Sequence, residues 1–449
     1  MRKVLLFFAL FTSIGSFAGT QVYIVPVVQE EMRVHLMADH DANHIVTDLT
    51  IFGQPGSMGH NVALANNCAL LSDFLPTPRS CYKIEAAQEI GIVIEYEGPD
   101  GDINLVSLSN GPHISGFIVS HMGSSPYWEN RLAFGADMDN IFNVEMGDAQ
   151  STSIGYNMMG AELYHFEPFN IQKGKGFCTI MAQNQGFYGG AFFDFTRVDG
   201  IRGSAAVSPM LYRSGDKGYS TLYLTHIAKD TTNFWTGYSL LNIGAEVTVV
   251  GLSAYKNGQV IAYEEVRILY RQQDIAIIGV DRFVGWDPAD IDWIEVKSAT
   301  PILGLELFGS PSTENTYLAG FALPHEQMRS QKLLFPAVSN EPFRWTGLCI
   351  MNPSINAAHV SINFLGAEMD DPGTLVAENV VGFTSTTIQK QGKWIAELSS
   401  LTTPEVLSQT LGISVLSDQE VLGFVLIGDH DRMQLGGYLG IPAPMTLSP

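Results

Sequence analysis

Cysteine is scarce. Four cysteines in 449 residues cannot supply the dense cross-linking that supports small secreted scaffolds, so stability has to come from apolar burial. Charge is scarce too: 16% of residues are charged, against roughly 25% in an average soluble protein. The basic share is smaller still, with 24 Lys and Arg against 46 Asp and Glu and a formal charge of -22. Such a surface opposes the phosphate neutralisation that nucleic-acid binding requires and repels anionic membranes, so nucleic acid is excluded as a partner. No apolar run reaches the roughly eighteen residues of a spanning helix, so no membrane span is expected. Signatures of chemistry are missing as well. There is no Gly-x-Ser-x-Gly elbow, phosphate loop or dinucleotide fingerprint. His325-Glu326-Gln327-Met328-Arg329 opens like a zinc-protease helix but carries Arg329 where the second histidine must stand.

What is plentiful is apolar and small: 46% of residues are hydrophobic and 44 are glycine. The length is about three times that of a typical single domain, so several cores are expected. Residues 1–18 read as an export signal. Arg2 and Lys3 precede an unbroken apolar run from Val4 to Phe11, and Ser16-Phe17-Ala18 offers small residues at both positions a signal peptidase reads. The expected product begins at Gly19 and is secreted or periplasmic. Cys68 and Cys81 enclose twelve residues. A bridge closing such a loop contributes roughly 3 kcal/mol, and the spacing suits a disulfide and two thiols equally. Cys178 and Cys349 lie inside apolar strand-like runs and read as free, buried thiols.

Internal repetition organises the chain. Trp293 to Gly309 and Gly412 to Gly428 align over seventeen positions without a gap, seven of them identical. Upstream, Trp235-Thr-Gly-Tyr-Ser-Leu-Leu-Asn242 matches Trp345-Thr-Gly-Leu-Cys-Ile-Met-Asn352, and beyond the asparagines Val250, Leu252 and Ala254 keep the phase of Val360, Ile362 and Phe364. The first half carries weaker copies, with Trp128 and Met32 at the tryptophan position and Leu49 and Ile51 on Ile362 and Phe364. Four β units are therefore expected, over 19–112, 113–215, 216–328 and 329–449, divided where Gly111-Pro112 and polar stretches near 215 and 328 interrupt the pattern. Alternation of Val360, Ile362 and Phe364 with His359, Ser361 and Asn363 has period two, so the expected fold class is all-β, four tandem sandwich-like (Ig-like) repeat units. Asp287-Pro288 and Thr403-Pro404 each place a capping side chain before a proline tolerated in a first turn, which predicts one or two helical turns at both places. Trp128, Trp235 and Trp345, with Asn242 and Asn352, are the structural repeat anchors. The tryptophans are read as core or inter-sheet residues, with ligand stacking as the other use of an aromatic there.

The order of an apolar opening strand, Trp-Thr-Gly, an aliphatic strand ending in Asn242 or Asn352, a Val-x-Leu/Ile strand, Gly392-Lys393-Trp394 and the Ser417-Asp-x-x-Leu-Gly-Phe segment resembles an uncharacterised β repeat found in tandem in secreted bacterial proteins. The resemblance is good over 219–442 and faint over 21–215, where Trp-Thr-Gly and Asn-Pro are missing. It implies an Ig-like or similar sandwich in an extracellular or periplasmic setting and brings no catalytic residues.

One cluster has metal-ligand chemistry: His35, Asp39, His40, Asp41, His44 and Asp48. Imidazole with carboxylate suits zinc, and Asp39-x-Asp41-x-Asn43 starts like a calcium loop but lacks its glycine and closing glutamate. The segment is also a turn between strands, where polar residues gather without any ion. Two uses therefore stand: a metal site held by Asp39, His40, Asp41 and His44, or a hydrated turn. No other cofactor is implied. The expected function is a secreted, non-enzymatic structural or binding repeat protein that contacts an extracellular glycan or protein, as in surface adhesion. The alternative is an extracellular hydrolase using dispersed carboxylates, whose pairing is set in space and not by sequence spacing.

Overall fold

In unit 3 the alternation of apolar and polar residues produces β16 (Tyr219–Leu224), β17 (Trp235–Asn242), β18 (Thr248–Lys256), β19 (Gln259–Ile268), β20 (Gln273–Ile277), β21 (Trp293–Gly309) and β22 (Leu318–Ala322). Their residues belong to a computed structural model that describes 219–443, apart from 311–317, 340, 367–378 and 431–433, and, within 21–213, the residues of the strands named below. The export signal and the boundaries near 112 and 215 lie outside the described residues. β21 belongs to two sheets. Its first half, Trp293 to Ser298, pairs with β18 and β16, and its second half, Ile302 to Gly309, pairs with β17 and β22. The resulting orders are β19-β18-β21-β16 and β20-β17-β21-β22, all antiparallel. Leu222, Leu252 and Val296 from the first sheet meet Leu240 and Ile302 from the second in one core. Each such side chain contributes about 1.5–3 kcal/mol when fully removed from water.

Unit 4 repeats this with β23 (Ser330–Phe335), β24 (Arg344–Met351), β25 (Ala358–Gly366), β26 (Asn379–Ile388), β27 (Lys393–Glu397), β28 (Thr410–Asp429), β29 (Leu435–Leu439) and β30 (Ile441–Pro442). Its sheets run β26-β25-β28-β23-β30 and β27-β24-β28-β29. The gapless seventeen-residue match therefore falls on the strand that crosses between sheets. Ser298 to Pro301 bulge out opposite β16, and Ser417 to Glu420 opposite β23. Val360, Ile362 and Phe364 point into the core, with His359 exposed. The two proline signals also produce helical turns. Asp287 accepts from the Ala289 amide ahead of a 3₁₀ turn, Pro288–Asp290, and Thr403 from the Val406 amide ahead of the helix Pro404–Gln409.

Unit 1 contains β1 (Gln21–Pro26), β2 (Arg33–Ala38), β3 (Thr47–Phe52), β4 (His60–Leu64), β5 (Cys81–Ala86), β6 (Ile90–Glu97) and β7 (Ile103–Leu108). Unit 2 contains β8 (Ile114–Met122), β9 (Trp128–Ala136), β10 (Asn140–Gly147), β11 (Thr152–Met158), β12 (Gly176–Ala182), β13 (Phe187–Thr196), β14 (Arg202–Val207) and β15 (Met210–Arg213). Their orders, β4-β3-β5-β1 with β2-β6-β7 and β11-β10-β12-β8-β15 with β9-β13-β14, follow those of units 3 and 4, but among the described residues the second sheets have no counterpart of β20 or β27. The crossing differs as well. The crossing strand is here two strands, β5 and β6 or β12 and β13.

The units meet head to tail. The opening strand of each lies against the second sheet of the next: β1 on β9 and β13, β8 on β17 and β21, Tyr223 of β16 on Met351 and Leu422. The same contact joins the last unit to the first, where Leu334 of β23 packs on Met37 of β2. The final strands of the four second sheets, β7, β14, β22 and β29, touch one another in chain order, with a slighter contact between β14 and β29. Four heterologous contacts thus close into a ring. A Cβ on Gly436 of β29 would stand 2.5 Å from the Ile103 carbonyl oxygen of β7, so only glycine permits that approach.

Candidate functional site

The recurring motif residues have the same partners in units 3 and 4. Trp235 and Trp345 are half-buried and lie across a neighbouring glycine on the outer face of the second sheet; a Cβ at Gly237 or Gly347 would stand 3.2 or 3.3 Å from the ring. Trp345 also covers Gly428 and donates from Nε1 to the Asp429 carbonyl at 2.9 Å. Thr236 accepts from the Ala228 amide and Thr346 from the Ser339 amide, both at 2.9 Å, tying the loop after the opening strand to the second sheet. Asn242 and Asn352 are fully buried staples. Each donates from Nδ2 to the carbonyl four residues on, Glu246 or Asn356, at 2.7 Å. Each also donates to the end of the neighbouring hairpin, Ile268 or Ile388, and accepts from the amide two residues on, Gly244 or Ser354. The threonines were not singled out from sequence, although they repeat beside each tryptophan.

The junction of units 3 and 4 buries three titratable groups that sequence reasoning also missed. Glu306 stands in the apolar run of β21 and accepts from the Thr225 and His226 amides at 3.2 and 3.1 Å. Burial pushes its carboxyl up to about 8, against the smaller opposing effect of those two amides and the Lys393 charge. Lys393 of β27 reaches across to donate to the Thr225 carbonyl at 3.3 Å and to the Asp292 carbonyl, and burial holds its ammonium below the ordinary lysine range. His226 lies 4.5 Å from the Phe308 ring and 5.6 Å from the Phe424 ring, centre to centre. Burial, with the Lys393 charge, lowers it to about 3. The signal available in sequence was the alignment itself, which sets Glu306 against Val425.

The contact between units 4 and 1 is built from charges. Glu95 of β6 accepts from His35 Nε2 at 2.8 Å and from Arg344 Nη1 of β24 at 3.0 Å, with Arg33 at 4.0 Å. Glu341 pairs with Arg344 Nε at 3.2 Å and lies 3.9 Å from Arg33. Burial alone would raise the Glu95 carboxyl, but the His35 hydrogen bond and the charges of His35, Arg344 and Arg33 outweigh it and bring it to about 2.

The exposed faces carry a different pattern. Tyr263 of β19 pairs with Ser253 of β18, and Phe383 of β26 pairs with Asn363 of β25, at equivalent places in the two units. These aromatics are 58% and 62% exposed on the outer strands of the first sheets. Around Phe383 the face carries His359, hydrogen-bonded to Thr387 at 3.1 Å, and Asn363, bonded to Ser414 at 3.3 Å. Tyr263 donates to Glu265 at 2.8 Å. A cleft of about 220 Å³ lies in unit 3 beside Phe234, Trp235, Ile277 and Val280. The described residues that line it offer aromatic and aliphatic surface for contact and stacking.

Asp39, His40, Asp41 and His44 lie outside the described residues, as does Cys68; Cys81 opens β5, and its pairing with Cys68 is therefore outside them as well. Among the described residues no group of three or more His, Cys, Asp or Glu is placed to hold a metal ion. His35 and Asp48 fall on β2 and β3. Trp128 opens β9, paired with Phe195. Cys178 and Cys349 are free and buried, and burial pushes both thiols up to about 12. Among the described residues no helix is long and apolar enough to cross a membrane.

No family model matches the chain, and no curated protein matches it. A solved structure described as the crystal structure of a tetra-tandem repeat in the extending region of a large adhesion protein is similar at 11% identity, covering 90% of this chain and 93% of that one, with a TM-score of 0.11. At that score neither its fold nor its role transfers.

Proposed function

We propose that the chain is a secreted, non-enzymatic binding protein whose outward sheet faces contact an extracellular glycan, in the manner of a surface adhesion module. The observation that supports this reading is the recurrence of one exposed aromatic at one register, Tyr263 and Phe383, with polar side chains beside each. An aromatic ring takes the apolar face of a sugar, and flanking hydroxyl, amide and imidazole groups take its hydroxyls. The buried acids named above have structural partners: Glu95 holds two units together and Glu306 bonds backbone amides. The net charge of -22 disfavours nucleic acid and polyanionic glycans alike, so a neutral glycan is the expected class. A glycan array probed with the secreted protein is expected to give binding that Tyr263→Ala with Phe383→Ala lowers at least tenfold without changing the melting temperature. Reproducible turnover of a polysaccharide or peptide, abolished by one Asp or Glu substitution, would overturn the reading in favour of a hydrolase.

A further inference from the structure

Three of the four unit contacts join consecutive units, which the chain also links covalently. The fourth, between units 4 and 1, is held by non-covalent contacts, yet it uses the same surfaces. Leu334 sits on Met37 as Tyr223 sits on Met351, and Arg344 is the residue beside the repeated tryptophan. We propose that this fourth contact is exchangeable, so that unit 4 of one molecule seats on unit 1 of a second copy of the same chain and the ring opens into a head-to-tail assembly.

The complementarity required is already present, because the two surfaces fit each other inside one molecule. A heterologous contact that closes a ring within a chain propagates when the closing partner comes from another chain. The intramolecular partner is favoured because units 2 and 3 already hold it in place, which raises its effective concentration, so the closed ring dominates until the contact is weakened. Its polar part is the five-residue network of Arg33, His35, Glu95, Glu341 and Arg344, in which Arg344 and Glu95 are 7% and 10% exposed. Charge reversal there weakens closure while leaving each unit's own core untouched.

The test uses the full secreted chain with Arg344→Glu, Glu95→Arg, and both together, followed by light scattering after size exclusion. Arg344→Glu sets a new carboxylate against Glu95 and Glu341. Glu95→Arg sets a new guanidinium against Arg33 and Arg344. In an equimolar mixture of the two single variants, each unit 4 has a complementary unit 1 only on the other protein. The expected result is a species of twice the monomer mass in the mixture, at least tenfold more abundant than in either variant alone, with the double variant and the unmodified protein monomeric at the same concentration. A mixture that stays monomeric while circular dichroism shows both variants folded would overturn the proposal, as would equal assembly by the double variant. If either reversal prevents folding, the neutral pair Arg344→Gln and Glu95→Gln replaces them. Each must then show a dimer fraction that rises with concentration and exceeds that of the unmodified protein, and concentration-independent monomers reject exchange.

Discussion

Two buried glutamates at two unit junctions behave oppositely. Glu306, between units 3 and 4, meets backbone amides and rises to about 8; Glu95, between units 4 and 1, meets two arginines and a histidine and falls to about 2. Burial pushes both carboxyls upward, so the difference lies in how directly cations answer: His35 and Arg344 bond the Glu95 carboxylate itself, whereas the Lys393 ammonium near Glu306 bonds backbone carbonyls. The junction that the chain itself tethers favours a neutral acid. The junction that nothing tethers covalently uses an ionised one, which makes its partner identifiable by charge.

The comparison breaks most readily at the cations. Arg344→Met leaves a carboxylate buried beside His35 and is expected to lower stability by about 3–5 kcal/mol, whereas Lys393→Met removes hydrogen bonds to two carbonyls and is expected to lower it by about 1–2 kcal/mol. Thermal unfolding at pH 7 compares them, and equal losses would erase the distinction. Asn242→Ala and Asn352→Ala sharpen it from inside the units: each removes one buried staple and is expected to lower stability by about 2–3 kcal/mol, equally in both. A twofold disparity in denaturant unfolding would place part of the junction difference within the units themselves. One effect is a gain. The raised Glu306 carboxyl contributes stability that is fully present below its ordinary value of about 4.5 and lost as pH rises through about 8. Glu306→Gln does not titrate, so it is expected to be more stable than the unmodified protein by about 4–5 kcal/mol at pH 8, with the gap closing below about pH 4.5. The Glu95 contribution has the reverse sign, present above about 4.5 and lost as pH falls through about 2. Melting curves across pH 3 to 9 read both.

The strand pattern, the repeat and its phase in units 3 and 4 were legible because apolar alternation and Asn or Trp-Thr-Gly turns are local properties. The crossing of Trp293 to Gly309 and its counterpart between sheets was not, since one apolar run looks the same whether it serves one sheet or two. Faintness in the first half has a matching cause. There the crossing strand is split into β5 and β6 or β12 and β13, so the longest ungapped signal is broken. Register slipped as well. Met32 aligns with Trp345 by spacing, yet the β2 residues that face unit 4 are Arg33, His35 and Met37, the opposite set to the one that alignment implies. Of the candidate sites, the repeated tryptophans and asparagines were visible as types, while Glu95, Glu306, Arg344 and Lys393 acquire their meaning from contacts between units. Those contacts lie up to 249 residues apart in sequence.

A strand that serves two sheets leaves neither sheet whole without it. Pulling β28 from the edge of β24 also takes it from β25 and β23 through the same backbone, so a unit has no layer that frays while the other stands. Opening is then one event per unit. A protease encountering this part of the chain meets either a closed unit or a wholly unfolded one.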